Sequence, residues 1–406
     1  MVETLNRSTE TGLTARELKA KLDRNDPIIV VDVRGRDAVQ SWGVEGRAQL
    51  KTINVPYREM VPAGGADDDP IGKIQDYVQT HLQDELSADA EVVSVCAQGI
   101  SSADVTEALR GLGYSAETLE GGMVAWGEYY DVQPVVETDP LAIYQVTRPA
   151  RGCISHVVIS DGQAVVVDPL RHVDSYIDLV REKGAEIRFV LDTHAHADHI
   201  SGGPSLAERL DVPYYLHPYD AIHPLDVLPA EIDYEFVDDG QTFHVGDIEI
   251  EALHIPGHTL GNLAYLVDGQ YVMTGDSVFI DSIARPDLGG QGETWAPIHY
   301  RSLKRLLALP EETVVLPGHF STLDEAGDAL FADNLGNIAR RNDGLLKVQE
   351  GESAFVDYIL GSLPTFPEQY VEIKRVNAGL VELDENRASE LETGRNVCAL
   401  SSAYDA

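Results

Sequence analysis

The chain has 406 residues, 43% of them hydrophobic, and sets 68 acidic side chains against 30 basic ones, a formal net charge of −38. Such a length exceeds one ordinary domain and predicts two or three, and the charge argues against nucleic acid or an anionic membrane as a partner. No run of about 18 apolar residues predicts a membrane span, and three cysteines are too few, and odd in number, for a disulfide framework. The basic residues are eight Lys against 22 Arg, and the acid is spread over both halves. A surface of this kind repels itself at ordinary ionic strength and is screened by concentrated salt, so adaptation to a salt-rich medium is expected. The opening segment, "MVETLNRSTETGLTARELKAKL", is polar and lacks an apolar signal core, which points to the cytoplasm.

The first segment alternates helix and strand. "LTARELKAKLDRND" begins with Thr14 and Glu17 in capping-box spacing, so a helix is predicted. "PIIVVDVRG" is β-branched and reads as a buried strand, "DYVQTHLQDEL" as a helix, and "AEVVSVCAQG" as a strand running into a small-residue loop. "SSADVTEALRGLGY" is a helix starting at that loop, and "AETLEGGMVAW" closes the unit. This rhythm predicts a small α/β domain with a parallel sheet over residues 1–130. "DVQPVVETDP", acidic and with two prolines, reads as a linker over 131–140. Beyond it, strand pairs dominate residues 141–320: "HVVISDGQAVVVDP" has a turn at Asp161-Gly162, and further pairs follow through "GDIEIEALHIPGHT" and "NLAYLVDGQYVMTGD". Residues 321–406 read as a mainly helical extension packed on the preceding domain.

In "FVLDTHAHADHISGG" three histidines and an aspartate fall within six residues, straight after an apolar run that reads as a strand. In an extended segment His194, His196 and Asp198 point to one side, and His199 follows where the chain turns. Imidazole with carboxylate suits zinc or iron rather than calcium or magnesium. His258 in "PGHTLGN", Asp276 in "MTGDSVF" and His319 in "LPGHF" each sit beside a Gly that permits a tight inward loop, with His254 a bystander. In this order "THAHADH", "GHT", "GDS" and "GH" resemble the metallo-β-lactamase superfamily over about Leu141 to Phe320. The resemblance implies an αββα sandwich, an α+β fold, with metal at one edge. It also implies, for the hydrolytic members, two zinc ions: one on His194, His196 and His258, one on Asp198, His199 and His319, with Asp276 bridging. A thioester hydrolase of the glyoxalase II type is one expectation.

Further features resemble the persulfide dioxygenases. "SIARPDLGG" is similar to that family's Gly-Arg-x-Asp segment, with Ala284 in place of the Gly, and Arg285 and Asp287 matching. "LPTFPEQYVEIKRVNAG" (Leu363 to Gly379) resembles the family's C-terminal segment ending in Asn-x-Gly. The resemblance implies one Fe(II) on His194, His258 and Asp276. His196, Asp198, His199 and His319 then orient ligands or line a second metal site, and Arg285 positions the substrate. A small thiol persulfide and O₂ would be the reactants.

In "VVSVCAQGISS", Cys96 stands at a strand end before Ala97, Gln98, Gly99, Ile100, Ser101 and Ser102, a loop that opens a helix. Backbone N–H groups there would cradle an anionic or persulfide sulfur. With "IVVDVRG" and "LEGGMVAW" the segment Leu13 to Tyr130 resembles the rhodanese domains. Family loops often carry Arg where this chain has Ala97 and Ser101, so a persulfide carrier at Cys96, served by a sulfur-donor protein, is expected before a thiosulfate sulfurtransferase. The alternative is a docking module with a structural Cys96. Cys153 and Cys398 read as inert, Trp126 and Trp295 as packing residues, Trp295 close enough to the Arg285 loop to line a pocket. Homo-oligomerisation stays open.

Overall fold

The computed structural model describes residues 12–46, 50–62, 69–327, 330–363, 365–394 and 396–400. Residues 1–11 of the polar opening segment, and Pro364, lie outside them. The chain divides into two compact units: the first runs to Asp131 with residues 148–151 and 393–395, and the second holds the rest.

The first unit is built on four parallel strands, β1 (Ile28–Asp32), β2 (Lys51–Asn54), β3 (Glu91–Val95) and β4 (Ala116–Thr118), in the order β2-β1-β3-β4. All five residues of β1 are buried, as a strand covered on both faces requires. Alternate side chains feed opposite layers. Ile29, Val31 and Val92 pack with Ile74, Val105 and Leu109 on one face, while Val30, Val93 and Val95 pack with Leu18 and Trp126 on the other. The helix Ala15–Asp23 starts with the expected capping box: Glu17 N–H donates to Thr14 Oγ1, and Thr14 N–H to Glu17 Oε2.

The second unit has two sheets. One runs β11-β10-β9-β8-β7-β6-β5, from β5 (Asp131–Glu137), β6 (Ala142–Arg148), β7 (Cys153–Ser160), β8 (Gln163–Val167), β9 (Glu186–Leu191), β10 (Tyr214–Leu216) and β11 (Glu235–Phe236). The other runs in sequence order through β12 (Thr242–Val245), β13 (Ile248–His254), β14 (Leu263–Val267), β15 (Tyr271–Gly275), β16 (Val314–Pro317) and β17 (Asp333–Asn334). Their inner faces share a core in which Ile143, Val165 and Leu191 meet Ile250, Tyr265 and Leu316. The helices Asp174–Glu182 and Gly203–Leu210 pack against the first sheet. Leu303, Ile338, Leu345 and Phe355, from four helices, pack with Val272 and Val315 of the second. This is the αββα sandwich the motifs imply. The hairpin turn between β7 and β8 has φ of 45° at Asp161 and 69° at Gly162, the left-handed pair of a type I′ turn.

One expectation is corrected. The segment read as a linker contributes the edge strand β5, up to Glu137. Pro134 is compatible with an edge, where a missing N–H leaves no ladder bond unmade, so this proline is a misleading signal, while Pro140 lies beyond the strand. No helix among the described residues is long and apolar enough to cross a membrane.

What positions the site is strand direction. β8 and β9 are parallel neighbours in one sheet, and β15 and β16 in the other. Parallel neighbours end together, so their C-terminal loops bring Asp168, His194, Asp276 and His319 out of the two sheets.

Candidate metal centre

After Leu191 the chain leaves its sheet, and residues 192–200 are irregular. The alternation expected of an extended segment therefore fails, and His194 and His196 join different groups. His194, His258 and Asp276 are fully buried, and each offers a donor atom within 4.8 Å of the other two. Asp276 Oδ2 lies 3.8 Å from His194 Nε2 and 3.4 Å from His258 Nε2. None of these three atoms has a hydrogen-bond partner among the described residues. Buried polar atoms are ordinarily paired; three convergent lone-pair donors without partners fit a cation.

The other ring nitrogen of each histidine fixes its tautomer. His258 Nδ1 is 2.8 Å from the carbonyl oxygen of Arg285, so it donates and leaves Nε2 a lone pair. Thr193 Oγ1 donates to Asp168 Oδ2 at 2.9 Å, so it can only accept from His194 Nδ1, also at 2.9 Å. The chain Asp168–Thr193–His194 thus turns Nε2 of His194 toward Asp276. Gly275 makes this approach feasible: its φ is +49°, and a Cβ there would sit 2.3 Å from Thr193 Oγ1.

A second buried group adjoins the first: Cys153, Asp198, His199 and His319 bring donor atoms within 4.8 Å of one another. His319 spans two carboxylates, Nδ1 at 2.5 Å from Asp276 Oδ1 and Nε2 at 2.7 Å from Asp198 Oδ2. Burial opposes its charge, but Asp198 and Asp276 outweigh burial and hold it well above the usual histidine range. Cys153 Sγ donates to Asp198 Oδ2 at 3.3 Å, so this group is largely hydrogen-bonded within itself; His199 Nε2 has no partner among the described residues. His196 directs Nε2 toward the other side, 3.3 Å from Asp168 Oδ1 and 3.9 Å from Asp192 Oδ1, while its ring stays 4.2 Å from those of His194 and His199 and its Nδ1 has no hydrogen-bond partner among the described residues. Cys398 brings its sulfur within 4.8 Å of donor atoms of both Asp198 and Asp276. Burial and those carboxylates push its thiol well above the usual range, so it stays protonated. Both cysteines read as inert therefore line the centre, which their apolar sequence surroundings did not signal.

Arg285 departs from expectation. Its side chain is fully buried and forks onto Asp287, Nε to Oδ1 at 2.6 Å and an Nη to Oδ2 at 2.9 Å, with a further contact to the Val397 carbonyl at 3.3 Å. A guanidinium so committed holds the C-terminal segment in place, and the residue reaches the centre through its carbonyl on His258. Asn377 explains the Asn-x-Gly signal: Nδ2 donates to the carbonyls of His196 and His199, both at 2.9 Å, and Oδ1 accepts from Ser201 N–H at 2.9 Å. It clamps the metal loop from the helix Gln369–Asn377. Lys374 on the same helix and Asp220 were not anticipated, because nothing near them in sequence marks them. Asp220 accepts from Ala195 N–H, Thr259 Oγ1 and Gly261 N–H at 2.6–2.8 Å. His254, as expected, stays outside, stacked on His217.

In the first unit Cys96 is buried at the end of β3, and Sγ accepts from Gly99 N–H at 3.1 Å and Ser102 Oγ at 3.4 Å. Gly99 is left-handed with φ +80°, and the helix Ile100–Gly111 starts immediately after it. Gly122 closes from the other side: a Cβ there would lie 2.3 Å from the Cys96 carbonyl. Ala97, Gln98 and Ile100 are exposed and Ser101 half-buried, and no cationic side chain lies within the loop.

A two-sheet sandwich with histidine-rich loops at its strand ends, preceded by a parallel sheet with a cysteine loop, defines an enzyme of a metal-binding class joined to a small α/β domain. The model of the metallo-beta-lactamase superfamily matches residues 148–319, and that of the rhodanese-like domain residues 14–129. The probable metallo-hydrolase YqgX of Bacillus subtilis (strain 168) is 34% identical over 181 residues, 41% of this chain and 83% of that protein. The hydroxyacylglutathione hydrolase of Xanthomonas euvesicatoria pv. vesicatoria (strain 85-10) is 34% identical over 177 residues, 44% of this chain and 64% of the relative. Among solved structures, a metallo-beta-lactamase from Staphylococcus aureus aligns with a TM-score of 0.50 at 26% identity, covering 60% of this chain and 73% of that one. The chain belongs to the metallo-beta-lactamase superfamily and carries a rhodanese-like domain ahead of it.

Proposed function

We propose that the chain is a persulfide dioxygenase using one Fe(II) held by His194, His258 and Asp276. The observation that supports this is the donor set: two imidazole nitrogens and one carboxylate oxygen converge without partners, while His196, the third imidazole of a hydrolytic first site, falls in a separate group with Asp168 and Asp192. Two histidines and a carboxylate would hold such an ion with coordination positions left for O₂ and substrate together. Bound ferrous iron supplies the one-electron chemistry O₂ needs, which zinc with its filled d shell does not. The net reaction balances as R–S–SH + O₂ + H₂O → R–SH + SO₃²⁻ + 2 H⁺: the S–S bond breaks, the two sulfurs together lose four electrons as the outer one becomes sulfite and the inner one a thiol, and O₂ gains them.

The chain's own residues prepare this chemistry. Thr193 and the Arg285 carbonyl hold both imidazoles with lone pairs inward, and Asp276 offers one oxygen to the site while His319 binds the other. All three donors are fully buried, which keeps bulk water from their lone pairs. Cys96, cradled by Gly99 and Ser102, serves as a persulfide carrier supplied by a donor protein. If Cys96→Ser leaves sulfur transfer and coupled oxidation unaltered, the domain is a docking module instead.

The test is anaerobic purification, metal analysis and O₂ uptake with a small thiol persulfide. One iron per chain and one sulfite per O₂ are expected. Two zinc ions with no O₂ uptake would overturn the assignment. A second reading, a dinuclear zinc thioester hydrolase, draws on the adjoining Cys153/Asp198/His199/His319 group. It calls for turnover of an S-acyl thiol without O₂, abolished by Asp198→Ala.

A further inference from the structure

Eight large hydrophobic side chains are exposed among the described residues, and five of them, Tyr219, Ile222, Leu225, Val227 and Leu228, fall in one ten-residue loop. In a chain this acidic, such clustering marks a site rather than scattered exposure. Val227 adds strain: its φ is +55°, a conformation a β-branched residue adopts only when its surroundings impose it. Three of the five, Tyr219, Ile222 and Val227, line a cavity of about 220 Å³ together with Trp295, Thr259 and Ala195. Ala195 and Thr259 directly follow His194 and His258, so the metal loops supply part of the cavity wall.

Lys374 also lines the cavity, and it is 95% buried by its relative exposure of 5%. Its ammonium donates to the Ala195 carbonyl at 3.0 Å. Asp220, the acid lining the same cavity, is already bonded to three other donors, and no carboxylate lies within ion-pair distance of Lys374 among the described residues. A buried ammonium has three donors to satisfy, and leaving them unmet is costly. The remaining N–H groups therefore lack acceptors that a bound anion would supply.

We propose that this cavity binds the organic part of the substrate, and that the substrate is a small thiol persulfide bearing a carboxylate, held by Lys374, with its carbon frame under the Tyr219–Leu228 loop. This rests on the persulfide dioxygenase reading and narrows it. The cavity lies below the usual size range for drug-like ligands, so a compact thiol is selected over a bulky carrier.

Binding of the free thiol separates this proposal from the reaction. With anaerobic, metal-loaded full-length protein, 3-mercaptopropionate is expected to bind at least tenfold more tightly than 1-propanethiol by calorimetry. Lys374→Met should erase that preference, and Lys374→Arg should retain part of it, at unchanged metal content and circular dichroism. The persulfide of 3-mercaptopropionate should show its loss in Lys374→Met mainly as a raised KM rather than a lowered kcat. Equal binding of the two thiols, binding of neither, or a preference that survives Lys374→Met overturns the proposal. Ile222→Asp should weaken thiol binding without changing the mass in solution; unaltered binding with a changed mass assigns the loop to a second copy and also overturns it. Selective thiol binding without O₂ uptake from any persulfide would instead remove the dioxygenase reading and leave the pocket standing.

Discussion

Thr193 shows how a residue with no metal-binding chemistry of its own decides a metal site. Its hydroxyl is donated to Asp168, which leaves only acceptor capacity for His194 Nδ1 and so sets the tautomer of the ligand. Thr193→Val keeps the shape and removes both bonds. Metal affinity is expected to fall about 10–100-fold, the usual cost of losing such a partner, as read by competition with a chromophoric chelator; unchanged affinity would mean the relay is incidental. His196 offers the opposite case. It belongs to the family's hydrolytic ligand set by motif, yet its ring meets Asp168 and Asp192. His196→Ala should therefore retain the bound metal that His194→Ala loses, by elemental analysis of both variants; equal loss would return His196 to the first coordination set.

At the scale of elements, the centre depends on loops that are held rather than on strands that alternate. Gly275 ends β15 in a left-handed conformation with Thr193 packed where a Cβ would be. Gly275→Ala should cost about 1–3 kcal/mol for the backbone conformation alone, more with the clash, and lower the metal content together with the melting temperature. Asn377 acts from the helix Gln369–Asn377, satisfying two carbonyls and one N–H of the metal loop. Removing the amide leaves buried groups unpaired, each worth about 1–3 kcal/mol, so Asn377→Ala should release metal at a lower denaturant concentration than unfolds the sandwich. The Asn-x-Gly signal was legible in the sequence, but its partner was not, because the bonds join residues far apart along the chain.

At the scale of the whole molecule, 68 acidic against 30 basic residues make self-repulsion the dominant long-range force. The screening length is about 10 Å at 0.1 M salt and about 3 Å at 1 M. The melting temperature should therefore fall as KCl is lowered from molar to tenth-molar, and a constant value across that range would refute salt adaptation. Sequence alone determined the two domains' classes, because hydrophobic period is a local pattern, and it singled out the Gly-flanked histidines and the strand-end cysteine for the same reason. It misjudged Asp131–Glu137, where Pro134 at a sheet edge mimics a linker. Only the tertiary structure decided that His194 and His196 part company, that Cys153 and Cys398 enter the centre, that Arg285 is spent on Asp287, and that Lys374 lies buried beside a cavity. Each of those depends on which distant backbone a side chain meets after the chain leaves regular structure, where neither the two-residue nor the 3.6-residue period carries information.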